Sequence, residues 1–156
     1  MKDSMENGKQ RQVYELFIQT SVDKLWQSLT DGTITPNYFF GTIVKSSFKR
    51  GEPIRYEMPD GSPTVDGTVL ECEPRKRLAH TWKIRYDAAL SEETSTVEWR
   101  LEQRGKACKV IAIHDFDQAP KTAAHLGEGQ DGWSVVLSGL KTYLETGKPL
   151  ELPPAG

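Results

Sequence analysis

The chain holds three histidines and two cysteines, and their spacing limits the chemistry open to it. No HExxH pair or similar ligand spacing is present, so neither a metal site nor a cofactor is indicated. Cys72 and Cys108 are distant in sequence, form no CxxC pair and lack a flanking base that would favour a thiolate, so free, partly buried thiols are expected. For a nucleophilic serine there is no GxSxG elbow, and Ser138 in VLSGL falls within a helical pattern with no base at a readable spacing. Gly127-Glu128-Gly129 and Gly132 precede a helix but follow no strand and lack the Gly-Lys-Ser/Thr ending of a phosphate loop; they read as a hinge. No catalytic residue is assigned.

Histidine at strand spacing is the remaining polar feature. His114 alternates with Val110, Ala112 and Phe116 on one face of a run from Ala107 to Phe116. An imidazole there suits either of two roles. It can anchor a ligand carbonyl or hydroxyl and act as acid or base near neutral pH, or it can be a core group satisfied by its own protein. His80, on the face of Trp82, has the same two readings, whereas His125 lies in a glycine-containing loop and is expected to be solvated. The rings of Tyr38, Phe39, Phe40, Tyr56, Trp82, Trp99 and Trp133 fit a core as well as a ligand platform.

These side chains must be positioned by a sheet and a helix. Trp133, Val136, Leu137, Leu140, Tyr143 and Leu144 recur at i, i+3, i+4, i+7, i+10 and i+11, one apolar helical face that Gly147 and Pro149 bring to an end near Thr146. Gly139, inside it, has either a packing reason or a place on the outer face. Upstream, Val13–Gln19 reads as a first strand; Thr20 then caps a helix carrying Val22, Leu25, Trp26 and Leu29. A second short helix is expected from Pro36 to Gly41, where three adjacent aromatics cannot all point one way. Six more strands follow at Ile43–Phe48, Ile54–Met58, Thr64–Glu73, Arg77–Arg85, Thr94–Glu102 and Ala107–Phe116, with a loop through Pro120, Gly127 and Gly129 before the last helix. The expected fold is α+β: a curved seven-stranded antiparallel sheet with the C-terminal helix laid across its apolar face, leaving a concave space between the two.

The totals set the frame. A length of 156 residues predicts one domain, assigned to 13–150 between a disordered segment at 1–12 and a tail at 151–156. Twenty basic against 22 acidic side chains, a formal charge of −2, argue against a nucleic-acid partner. No apolar stretch reaches signal-peptide or membrane-spanning length, so a cytoplasmic protein without membrane insertion is expected.

YELFIQTSVDKLWQSLTDG, Tyr38-Phe39-Phe40-Gly41, Asp60-Gly61, the strand bearing Pro74, Arg75, Leu78 and Trp82, Val97-Glu98-Trp99-Arg100-Leu101-Glu102, His114 and GWSVVLSGLKTYLETGKPL together resemble the Hsp90-ATPase-activator-like (Aha1 C-terminal-type) family of the START/Bet v 1-like SRPBCC superfamily. The resemblance spans about Val13 to Leu150 and is most specific from Trp133 onward. It implies a helix-grip fold with an internal hydrophobic cavity. The expected function is binding of a small apolar or amphipathic molecule there, by a monomer or homodimer, with Trp26, Tyr38, Phe39, Phe40, Tyr56, His80, Trp82, Trp99, His114, Phe116, Trp133, Leu137 and Leu140 as cavity-lining candidates. Two alternatives stay open: a stress-response or co-chaperone role on an Hsp90-type chaperone, and a cyclase-like or hydrolase-like enzyme, as other branches of the superfamily include.

Overall fold

The computed structural model describes residues 11–127 and 130–152. Most of the predicted N-terminal segment, the Glu128 and Gly129 part of the predicted hinge, and residues 153–156 of the predicted tail lie outside these. The elements are β1 (Arg11–Ile18), α1 (Val22–Thr30), a 3-10 turn (Thr35–Asn37), β2 (Ile43–Ser46), β3 (Pro53–Glu57), β4 (Pro63–Glu73), β5 (Arg77–Ile84), β6 (Ser95–Arg104), β7 (Ala107–Asp115), α2 (Pro120–Leu126) and α3 (Trp133–Thr146). The sheet is antiparallel throughout, in the order β1-β7-β6-β5-β4-β3-β2, so the first strand closes against the last. This is the expected helix-grip arrangement, with α3 over the concave face.

Alternation decides which side chains enter the core. Along β7, Cys108, Val110, Ala112 and His114 are buried on the inner face, continued by Phe116 just past the strand. β5 contributes Leu78, His80, Trp82 and Ile84. The outer face carries charge: Glu98 is paired with Arg77 and, at 2.9 Å, with Arg100, while Asp66 lies 2.6 Å from Arg55 and also pairs with Arg85. Apolar exceptions remain there, notably Val13 and Phe17 on edge strand β1. Curvature is built into β4, where Leu70 is an extra residue between the pairs Val69↔His80 and Glu71↔Ala79. A Cβ on Gly67 would come within 2.0 Å of the Thr81 carbonyl oxygen, so only glycine permits this close approach of β4 to β5.

The helices depart from expectation in detail. α1 is capped by Ser21, whose Oγ accepts the Lys24 N–H at 3.2 Å, rather than by Thr20. The helix expected at Pro36–Gly41 is only a 3-10 turn, because Phe40 (φ 53°) and Gly41 (φ 74°) enter the left-handed region and end it. Tyr38 and Phe39 are consequently buried, and Phe40 points out. The predicted loop through Pro120 contains a helix instead. α2 has no capping side chain of its own; Glu93 accepts the N–H groups of Thr122 (2.8 Å) and Lys121 (3.1 Å) and so supplies the cap from a distant loop. α3 ends as read, with Gly147 left-handed (φ 79°) and its N–H donated to the Tyr143 carbonyl at 2.8 Å. Gly139 has the packing reason: a Cβ there would stand 3.3 Å from Tyr38 Cβ, so the missing side chain lets α3 settle onto the 3-10 turn segment.

Candidate functional site

Three rows of side chains cross the concave face, and two of them carry its polar groups. In one row His114, Val97 and His80 are successive cross-strand neighbours on β7, β6 and β5. In the next, Ser95 stands opposite Trp82. α3 brings Trp133 down onto this patch, within 5.8 Å of Trp82, 5.8 Å of His114 and 5.6 Å of Trp99 between ring centroids.

His114 is closed on both sides. Trp133 Nε1–H donates to His114 Nδ1 at 2.9 Å; an indole nitrogen only donates, so the imidazole proton must be on Nε2. That Nε2–H meets Ser95 Oγ at 2.7 Å, and Ser95 Oγ lies 3.4 Å from the Trp82 carbonyl oxygen. Phe116 stacks on the ring at 4.0 Å. Burial, with His80 nearby, pushes the His114 pKa down to about 3, so the ring is neutral near pH 7.

His80 is closed on one side only. Its Nδ1 lies 2.8 Å from the Thr81 carbonyl oxygen, which can only accept, so Nδ1 carries the proton and Nε2 a lone pair. Burial holds its pKa down to about 4, opposed by the bond to Thr81. His80 Nε2 has no hydrogen-bond partner, and neither has the buried Trp82 Nε1.

Between α3, the 3-10 turn segment and strands β3 to β5 lies a cavity of about 60 Å³, lined by Phe39, Phe40, Thr42, Tyr56, Thr64, Val65, Trp82, Tyr86, Leu126, Gly132, Trp133 and Val136. Its walls are nearly all apolar or aromatic, with Phe39 stacked on Tyr56 at 4.7 Å. Phe40 and Tyr86, 55% and 54% exposed, form the rim. Tyr86 Oη and His125 Nε2, 2.9 Å apart, tie the segment after β5 to α2 across the mouth. Outside, a recess of about 440 Å³ shares Phe40, Thr64, Tyr86, Leu126 and Gly132 with the inner chamber. The chamber clears the ~10 to 15 Å³ that one water needs but falls well below the ~300 Å³ of a drug-sized site.

Of the cavity-lining candidates, Phe39, Phe40, Tyr56, Trp82 and Trp133 line this chamber. Trp26, Tyr38, His80, Trp99, His114, Phe116, Leu137 and Leu140 do not. Trp26 stands half-buried on α1, and the Tyr38 hydroxyl is committed to the Ser28 carbonyl at 2.7 Å. Trp99, Leu137 and Leu140 are spent on the packing between sheet and helix, and the two histidines lie behind the tryptophans. Thr42, Thr64, Tyr86, Leu126 and Gly132 were missed, because none belongs to a periodic apolar run. His125 is exposed as expected, but on α2 rather than in a loop. Among the described residues, no group of three or more His, Cys, Asp or Glu side chains is placed to hold a metal, and no helix is long and apolar enough to cross a membrane.

Several solved structures share this architecture. CalU16 from Micromonospora echinospora is 21% identical over 91% of this chain and 78% of its own, with a TM-score of 0.69. The Aha1 dimer from Colwellia psychrerythraea, solved in solution, is 20% identical over 89% of this chain and 98% of its own, at 0.68. DynU16, a protein in the dynemicin biosynthetic locus, is 25% identical and reaches 0.72 over 89% of this chain, which spans about half (48%) of that longer protein. No curated protein matches the chain significantly. The family model described as "Activator of Hsp90 ATPase homolog 1-like protein" matches residues 19–145, nearly the whole described fold, and the chain therefore belongs to that family.

Proposed function

We propose that the protein binds a small apolar or amphipathic molecule in the chamber beneath α3. The observation that carries this reading is the chamber itself, an aromatic-walled space at the helix–sheet junction with its rim open to solvent. Its volume favours a single ring or a short chain, with any larger body lying in the outer recess. The reading gives His114 no proton-transfer step, since both of its nitrogens are already bonded within the protein.

Native mass spectrometry of freshly purified protein, followed by thermal unfolding with toluene, tests the proposal. The expected result is a retained small molecule or a rise in midpoint with toluene, equivalent to ~2.7 kcal/mol at a hundredfold excess over Kd. Val136→Phe, which fills the chamber from α3, should remove the effect. Absence of both retained mass and stabilisation in the unmodified chain would overturn the reading. A chaperone-contact reading draws on the family's description and on the exposed Val13 and Phe17. It predicts that binding to a purified Hsp90-type chaperone survives Val136→Phe and is lost in Val13→Asp/Phe17→Asp.

A further inference from the structure

Resting on the ligand-binding reading, we infer that the preferred ligand carries a neutral hydroxyl, held between Trp82 Nε1 and His80 Nε2. These two atoms are the buried side-chain nitrogens or oxygens left without a partner among the described residues. Their neighbours are satisfied: Trp133 Nε1 and both nitrogens of His114 are bonded, as is the Tyr38 hydroxyl. Native interiors pair nearly all such groups, so two orphans together on one strand point to a partner that is not part of the chain.

The two atoms are complementary. Trp82 Nε1–H only donates, and His80 Nε2, with the proton held on Nδ1 by the Thr81 carbonyl, only accepts. The residues share the inner face of β5, with ring centroids 6.2 Å apart and planes 27° from parallel. An oxygen ~2.9 Å from each nitrogen bridges groups up to ~5.8 Å apart, a span commensurate with that ring separation. A hydroxyl accepts from one and donates to the other with a single atom. A ketone or ether satisfies Trp82 alone and strands His80; a carboxylate, besides lacking a proton to give, would bring a charge into a chamber whose lining contains no cationic residue. Trp82 is itself a wall of the chamber, and Tyr56, another wall, lies 6.1 Å from His80 between centroids, so the pair sits at the chamber floor. Water satisfies the same two atoms in the absence of ligand, and a ligand hydroxyl takes its place. The class of ligand is thus a small phenol or alcohol with its apolar body toward Phe39 and Val136.

Titration of the full-length protein with phenol and toluene, alike in shape and different in the hydroxyl, tests this. In Trp82→Phe, phenol affinity should fall about tenfold, the worth of one buried hydrogen bond, while toluene affinity stays within about twofold. In ¹⁵N-labelled wild type, phenol should move the Trp82 indole proton downfield and shift His80 Nε2, and toluene should do neither. These resonances decide the matter should Trp82→Phe fail to fold. If both probes bind and respond alike to the substitution, with the indole resonance unmoved, the hydroxyl inference falls and the apolar-ligand reading stands. If neither probe binds the wild type, both fall.

Discussion

His114 and His80 occupy the same row of the sheet with only Val97 between them, yet their surroundings differ. His114 lies diagonal to Ser95 and under Trp133, so the neighbouring strand and the helix each supply one partner. Val97 and Val69 flank His80 across the sheet, and neither offers a hydrogen bond. Both rings are neutral and dehydrated. Burial alone therefore does not mark a functional histidine; the presence or absence of an internal partner separates a structural joint from an open receptor.

The comparison breaks first at Trp133. Trp133→Ala removes a packed ring and the donor to His114, and should cost ~3 to 5 kcal/mol in chemical denaturation. A loss below ~0.5 kcal/mol, as at an unremarkable surface site, would contradict the closed side of the comparison. The next effect is acid sensitivity. The folded-state values of about 4 and about 3 lie below the ordinary 6.5, so the unfolded chain takes up protons first as pH falls. Stability contributed by the neutral rings is complete above about pH 6.5 and declines from there toward about pH 4, by up to roughly 1.4 kcal/mol per unit for each histidine. Urea midpoints across that window should fall steeply, and His114→Gln should make the fall shallower.

A finer contrast pairs Ser95→Ala with Trp82→Phe. Ser95→Ala leaves the His114 Nε2–H without an acceptor and should cost ~1 to 3 kcal/mol. Trp82→Phe deletes a donor that had no partner in the chain and should lie within ~1 kcal/mol of wild type without ligand. Equal losses at the two sites would erase the distinction.

Much of this architecture was legible because period-two alternation over β5, β6 and β7 fixes which side chains face inward, and a one-residue slip would bury Lys109 and Asp115. The end of α3 was equally plain in Gly147 and Pro149. α2 was not legible: its cap comes from Glu93, and no local spacing reports a carboxylate that distant. Phe40 was placed on the chamber wall with Phe39, but its outward, rim position follows from a left-handed backbone at a residue type that rarely adopts one. Tyr86 and Leu126, the other rim residues, sit in an irregular segment and an unread helix. The inward faces of His80 and His114 followed from alternation, but their unequal partners depend on a diagonal neighbour and a helix arriving from above.

The pairing of β1 with β7 also orders events during synthesis. Arg11 meets Asp115, so the first strand made is hydrogen-bonded to the last, roughly a hundred residues later, and closure of so long a loop is entropically costly. At ~5 to 20 residues per second, β1 emerges from the ribosome ~5 to 20 s before its partner exists. Throughout that interval Tyr14, Leu16 and Ile18 have no sheet to cover them, although β2 to β5 can already pair through short hairpins. The nascent chain is therefore expected to be most vulnerable to aggregation at its N-terminal strand, and protection of β1 amides in pulsed hydrogen exchange should appear last.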